Sequence, residues 1–293
     1  MNGRTYSSSL EYWADRALLE SASKLRSDLD IYKKLKLIYD TTFNQIQAQI
    51  DGMYNRVATK QGIDKEALKK VVSEFDVVEF QERARELVIS KDFSDEANKM
   101  LSLYNLKMRQ TYLEMNENNI RLAIAEGGNE VQKLIRSALL KEFNNENTLQ
   151  AGILQKIIGS PTRMKLAADT FINNPYQGAL WSERIWENQA NLGLKVDKAM
   201  RDIVFRGKNP RDLLPILKKD FGVSSKVAYR LAVTEMARIQ SEVQLEHLKY
   251  NDFEQYKYLA EPGACEECKK IANQIFYVKD AQIGLNMSPL HPH

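Results

Sequence analysis

The sequence is short of several things, and each shortage narrows its meaning. Of 293 residues only two are cysteine, Cys265 and Cys268. A secreted scaffold stapled by disulfides is therefore not expected, and a reducing compartment is. No run of about 18 apolar residues occurs, so no membrane-spanning helix is expected. The opening MNGRTYSSSLEYWADR lacks a basic stretch followed by an apolar core, so it does not read as a secretory signal. The protein is expected to be made and used in the cytosol, or to leave the cell by lysis rather than export. Charge of one sign is scarce too. Lys plus Arg is 42 against 39 for Asp plus Glu, a formal net charge of +3, so any contact with nucleic acid must come from a local patch. Gly-x-Gly-x-x-Gly, Walker and His-Glu-x-x-His patterns are missing, as are paired carboxylates or a nucleophile at a diagnostic spacing from His247.

Proline is absent from the first 160 residues. All seven (Pro161, Pro175, Pro210, Pro215, Pro262, Pro289 and Pro292) come later. Since proline breaks helix interiors, the first half is open to long helices. It also carries the pattern for them. Leu25, Leu29, Tyr32, Leu35, Tyr39, Phe43, Ile46, Ile50, Met53 and Val57 follow at steps of three or four, one face of a helix sustained for about nine turns. Trp13 and Ala17 extend the pattern upstream. VVEFQERARELVI (77–89) reads as a shorter amphipathic helix. A second stripe runs Ala97, Leu101, Tyr104, Met108, Tyr112, Met115, fades near Asn118 and Asn119, and is expected to stop at a turn made by Gly127 and Gly128. KEFNNENTLQ (141–150) reads as a polar break. An antiparallel helical bundle or hairpin over 1–150 follows, then a linker region over 151–180.

The second half is punctuated like a smaller domain, 181–293. Trp181 and Trp186 lie on an expected short helix, as anchors against the C-terminal domain. Asn209 is placed as a helix N-cap with Pro210 in the first turn, and Gly222 as the stop. A further helix is expected from Ser224 or Ser225 to about Tyr250. FEQYKYLAE (253–261) and IFYVKDA (275–281) are strand candidates flanking the Cys-x-x-Cys turn. The fold class is thus mainly α: an elongated helical N-terminal part, then a smaller α+β domain with a short strand pair around the cysteines.

Three constellations are candidates for function. Glu235, Arg238 and Glu242 form a charge ladder at steps of three and four, with Arg230 and Thr234 on an adjacent strip. This reads as a salt-bridged surface or inter-helix seam, with a phosphate- or partner-facing strip as the sharper alternative. Lys195, Lys198, Arg201, Arg206, Lys208, Arg211, Lys218 and Lys219 give a basic stretch over 194–230, interspersed with acids, compatible with contact to duplex DNA. Finally, Cys265, Cys268 and His291 offer three ligands of the type structural zinc takes, and His293 is the candidate fourth. Reduced structural cysteines and a disulfide are the alternatives. A redox role lacks a thioredoxin-like strand before the motif.

An ordered series of segments adds a resemblance. LWSERIWENQ (180–189), GKNPRDL, YRLAVTEMARIQSE (229–242), ACEECKKIANQIFYV (264–278) and GLNMSPLHPH (284–293) together resemble the phage head-morphogenesis family, minor capsid proteins similar to the F protein of phage Mu. Trp181, Trp186, Thr234, Glu235 and Arg238 carry much of that likeness. The family pattern closes His-Pro-x-Cys-Arg-Cys, of which His291, Pro292 and His293 match only the start, so the expectation is a domain cut short just before those cysteines or one that has lost them. The resemblance implies a non-enzymatic minor head protein, in the virion interior and in the host cytoplasm during assembly. Its implied partners are the portal, major capsid and scaffold proteins and packaged double-stranded DNA, with roles in packaging, retention or ejection. A DNA-binding protein using 194–230, or a nuclease or redox enzyme using the Cys-x-x-Cys tail, are the competing classes.

Overall fold

The computed structural model describes residues 9–59, 62–70, 74–89, 111–154, 168–260 and 263–292. Helix α1 (Ser9–Val57) leads to a two-residue hairpin, β1 (Ala58–Thr59) and β2 (Gly62–Ile63). Then come α2 (Lys65–Leu68), α3 (Glu74–Ile89) and α4 (Tyr112–Leu154). The remainder is α5 (Trp181–Arg206), α6 (Pro210–Tyr250), β3 (Gln255–Lys257), α7 (Glu266–Lys270), β4 (Ile275–Tyr277) and a 3-10 turn, Val278–Asp280. The 49 residues of α1 extend to about 73 Å at 1.5 Å per residue.

The stripe expected on α1 is its buried face. Leu35, Tyr39, Phe43, Ile46, Ile50, Met53 and Val57 are all buried, and Ile31 joins them. Its first members depart from expectation: Leu25 and Leu29 are exposed. The side chains of Trp13 and Ala17, and residues 97–108 of the second stripe, lie outside the described residues. VVEFQERARELVI is helical within α3, and burying Val77, Phe80 and Ala84 gives the face its pattern called for.

Aromatic pairs fix the packing directions. Tyr32 meets Tyr229 and Phe43 meets Phe221, so α1 and α6 run antiparallel. Glu142 with Gln240, Glu146 with Gln244 and Asn147 with His247 climb together, so α4 and α6 run parallel. One apolar core draws residues from α1, α4, α5 and α6, on both sides of 151–180.

Three expected interruptions are helical instead. Gly127 and Gly128 do not form a turn; they lie within α4. A Cβ on Gly128 would stand 3.0 Å from the Trp186 ring of α5, and one on Gly127 would collide with Thr42 of α1. The glycines permit close helix approach, which the sequence pattern alone does not separate from a turn. KEFNNENTLQ is no break either. Phe143 enters the core, while Glu142, Glu146 and Asn147 bond partners on α6, and the Asn147 amide also donates back to the Phe143 carbonyl within the helix. Gly222 does not stop a helix: α6 continues through it, because Phe221, Ser224, Ser225 and Ala228 stay buried on one face. The start of α6 is as expected, with Asn209 Oδ1 accepting from the Arg211 N–H at 3.0 Å and Pro210 in the first turn.

The small α+β cap is present. β3 and β4 pair antiparallel in the register Gln255–Tyr277, Tyr256–Phe276, Lys257–Ile275. The strands are shorter than the stretches expected, and VKD, read as strand, is a 3-10 turn.

Candidate functional site

Two places gather the singled-out residues. The first is a buried polar centre. Trp181 and Trp186 lie on α5, whose 26 residues make it longer than expected. The Glu183 carboxylate caps its start by accepting from the Leu180 N–H at 2.8 Å. Trp186 is fully buried, but it packs on the N-terminal half: its indole N–H donates to Gln132 Oε1 of α4 at 2.7 Å. One turn on, Gln189 and Asn188 both donate to the Tyr39 hydroxyl of α1, at 2.9 and 3.0 Å, and Asn188 also donates to the Ser224 carbonyl of α6. Burial pushes the Tyr39 phenol far above its ordinary value. Four helices are thus tied at one level, with Gln132, Asn188 and Gln189, which carry no periodic signal in the sequence, making the ties.

The Glu235–Arg238–Glu242 ladder is a seam and not a surface. Arg238 and Glu235 are each 1% exposed. Arg238 Nε donates to Glu235 Oε2 at 2.7 Å, and its Nη1 donates to Glu242 Oε1 at 2.8 Å and to the Phe171 carbonyl at 3.0 Å. Asn174 completes the link by donating to Glu242. Burial, only partly offset by Arg238, raises the Glu242 carboxyl. Thr234 is buried, its hydroxyl donating to the Arg230 carbonyl. Trp181, Trp186, Thr234, Glu235 and Arg238 are therefore all inside the molecule.

The second place is the tail. Cys265 caps α7, Cys268 sits in its first turn, and the chain returns after β4 to bring back His291. The return path is pinned. Asn286 Oδ1 accepts from the Gln282 N–H at 2.7 Å, Tyr256 donates to the Asn286 carbonyl, and Tyr176 donates to the Pro289 carbonyl at 3.0 Å. His291 Nε2 then lies 3.0 Å from Cys265 Sγ and 3.6 Å from Cys268 Sγ. All three donor atoms fall within 4.8 Å of one another. His291 Nδ1 is 3.0 Å from the Pro292 carbonyl. Because a carbonyl only accepts, Nδ1 carries hydrogen and Nε2 faces the sulfurs.

The electrostatics differ between the two thiols. Backbone N–H of Cys268 and the His291 imidazole lower Cys265 to about 7. Burial raises Cys268. The Pro292 carbonyl and Cys265 raise His291. The group can hold a soft cation or a polarised thiol–imidazole pair. Both cysteines are free. His293 lies outside the described residues.

The basic candidates all reach solvent: Lys195, Lys198 and Arg201 on α5, Arg206 and Lys208 at its end, Arg211, Lys218 and Lys219 on α6. They are not uniformly available. Lys195 pairs with Asp220 at 2.6 Å, and Arg206 and Lys208 both pair with Asp202 at 2.7 Å.

Over residues 194–293 the chain matches the model of a family described as Phage Mu protein F like protein. The C-terminal third is what resembles that family. The match takes in the Thr-Glu helix, the Cys-x-x-Cys turn and the His-Pro tail; LWSERIWENQ lies upstream of it. No curated protein and no solved structure matches the chain. This match suggests a phage head morphogenesis protein, with other head proteins as the kind of partner and the virion as the kind of location it points to. Among the described residues no helix is long and apolar enough to cross a membrane.

Proposed function

We propose that this protein is a minor head protein that joins the procapsid interior by association with the portal, and that it serves DNA packaging, retention or ejection. The family match over 194–293 carries this reading. The shape of the molecule supports it: helices of 49, 43 and 41 residues make a long bundle suited to extended contact with other head proteins. No cofactor-driven reaction is part of it. The imidazole Nδ1 is oriented by a carbonyl of the next residue, not by the separate carboxylate or carboxamide that orients the base in hydrolytic triads. Immunoblotting of purified procapsids and virions tests the proposal. The protein should be found in procapsids at low copy number, and its absence from both particles at normal expression would overturn it.

A second reading is contact with packaged duplex DNA, supported by the exposure of Lys198, Arg201, Arg211, Lys218 and Lys219 on adjoining helices. Such binding would fall steeply with salt, by about a thousandfold or more between 50 and 200 mM for six or more phosphate contacts. Replacing Lys198, Arg201, Lys218 and Lys219 by Gln should flatten that dependence. No binding at low salt removes this reading and leaves the first intact.

A further inference from the structure

We propose that Cys265, Cys268 and His291 form a binding site for one zinc-class cation, and that loading it fixes the chain end across the α5–α6 surface. The donors are the first argument. Two sulfurs and one imidazole nitrogen are the set that zinc favours over calcium or magnesium. Their spacing is the second. With zinc–sulfur bonds of about 2.3 Å and zinc–nitrogen bonds of about 2.05 Å, tetrahedral angles separate S and N by about 3.6 Å. Cys268 Sγ to His291 Nε2 is 3.6 Å already, and Cys265 Sγ at 3.0 Å needs only a small outward movement. Cys265 is exposed, which leaves room for that movement.

The third argument is independent of the donors. A metal-binding histidine usually donates its other ring N–H to an oxygen, which fixes the tautomer and the ring plane. His291 does so through Nδ1 to the Pro292 carbonyl, leaving the Nε2 lone pair toward the sulfurs. Around Cys268, the Tyr258 hydroxyl is held by Ser288 at 3.2 Å and also interacts with the sulfur. The two thiols bind as thiolates, so loading releases their protons, and a water or a further donor takes the fourth corner.

The consequence reaches beyond the cap. Pro292, next to the ligand His291, forms part of the wall of a cavity of about 180 Å³ lined also by Arg184, Ile185, Val227 and Leu231 of α5 and α6. A cation bridging α7 and His291 therefore holds Pro292 against that cavity, making the shape of the α5–α6 surface depend on metal.

The test uses the full chain, reduced, incubated with Zn²⁺ or Co²⁺ and desalted. Elemental analysis should find about one metal per chain, and the Co²⁺ form should show a thiolate-to-cobalt charge-transfer band. Cys265→Ser with Cys268→Ser should retain no metal, and His291→Gln should weaken Zn²⁺ binding by at least ~10-fold. Far-UV circular dichroism should match between variants, because the long helices are packed elsewhere. Hydrogen exchange of 284–292 should slow on adding Zn²⁺ only in the unaltered chain. Lack of retained metal with both thiols reduced, equal binding by the double serine variant, or a cobalt spectrum without the thiolate band would each overturn the site. Unchanged exchange in a loaded chain would overturn its coupling to the α5–α6 surface.

Discussion

Arg238→Ala should be among the most destabilising substitutions in the molecule. The guanidinium is buried between Glu235 and Glu242 and also holds the Phe171 carbonyl. Removing it leaves two carboxylates facing each other out of water. Breaking a buried pair from one side costs about 3–5 kcal/mol, because the remaining charge keeps its desolvation penalty. Urea denaturation followed by circular dichroism reads this directly. The paired form is itself imperfectly satisfied: Glu235 Oε1, Arg238 Nη2 and Glu242 Oε2 are buried without a hydrogen-bond partner in the protein. Replacing all three by apolar residues (Glu235→Leu, Arg238→Met, Glu242→Leu) should therefore recover about half the loss or more. The acid limb gives a signed check. Glu242 sits above its ordinary 4.5 when folded, so its contribution is fully present below 4.5 and is lost as pH rises through the raised value. Without Arg238, the largest influence lowering it is gone and the carboxyl rises further. The deficit of Arg238→Ala should thus shrink on going from about pH 7 to about pH 5. A loss below about 1 kcal/mol, or a triple variant less stable than the single one, would refute the reasoning.

Two further outcomes are expected from packing. Gly128→Ala should lower stability by about 1–3 kcal/mol through collision with Trp186 and Gln189, whereas Gly52→Ala, exposed in α1 with nothing within 4 Å, should raise it by about 0.5–1 kcal/mol; paired urea melts distinguish them. Tyr39→Phe removes the acceptor shared by Asn188 and Gln189 and should cost about 1–3 kcal/mol, read in the same assay.

Much of the architecture was legible because helix periodicity and proline both report local chemistry. The stripe from Leu35 to Val57, the Asn209–Pro210 start and the strand pair all follow from neighbouring residues. The misread interruptions share one cause. Gly127, Gly128, Asn147 and Gly222 are judged locally as breakers, yet each is held in a helix by its environment: a close ring, a partner side chain on α6, or a buried face on either side. The seam of Glu235, Arg238 and Glu242 was visible as a ladder, but its burial depends on Phe171 and Asn174, more than sixty residues upstream. The tail's three donors were legible from type and spacing. The Tyr258, Ser288 and Pro292 contacts that orient them were not, since hydroxyls and carbonyls carry no spacing signature.

The position at which the Phage Mu F-like match begins has its own implication. Residue 194 falls inside α5, one turn beyond Gln189 and midway along a helix whose earlier half grips Tyr39 and Gln132. The stretch that matches the family is therefore not a unit that can be transplanted. A fragment opening at 194 would carry half of a helix and present Phe221, Ala228, Ala232 and Ile239 to water where α1 and α4 now lie. Any hybrid that joins this C-terminal third to another N-terminal half must also bring the first half of α5 and a pair of helices that cover that apolar face.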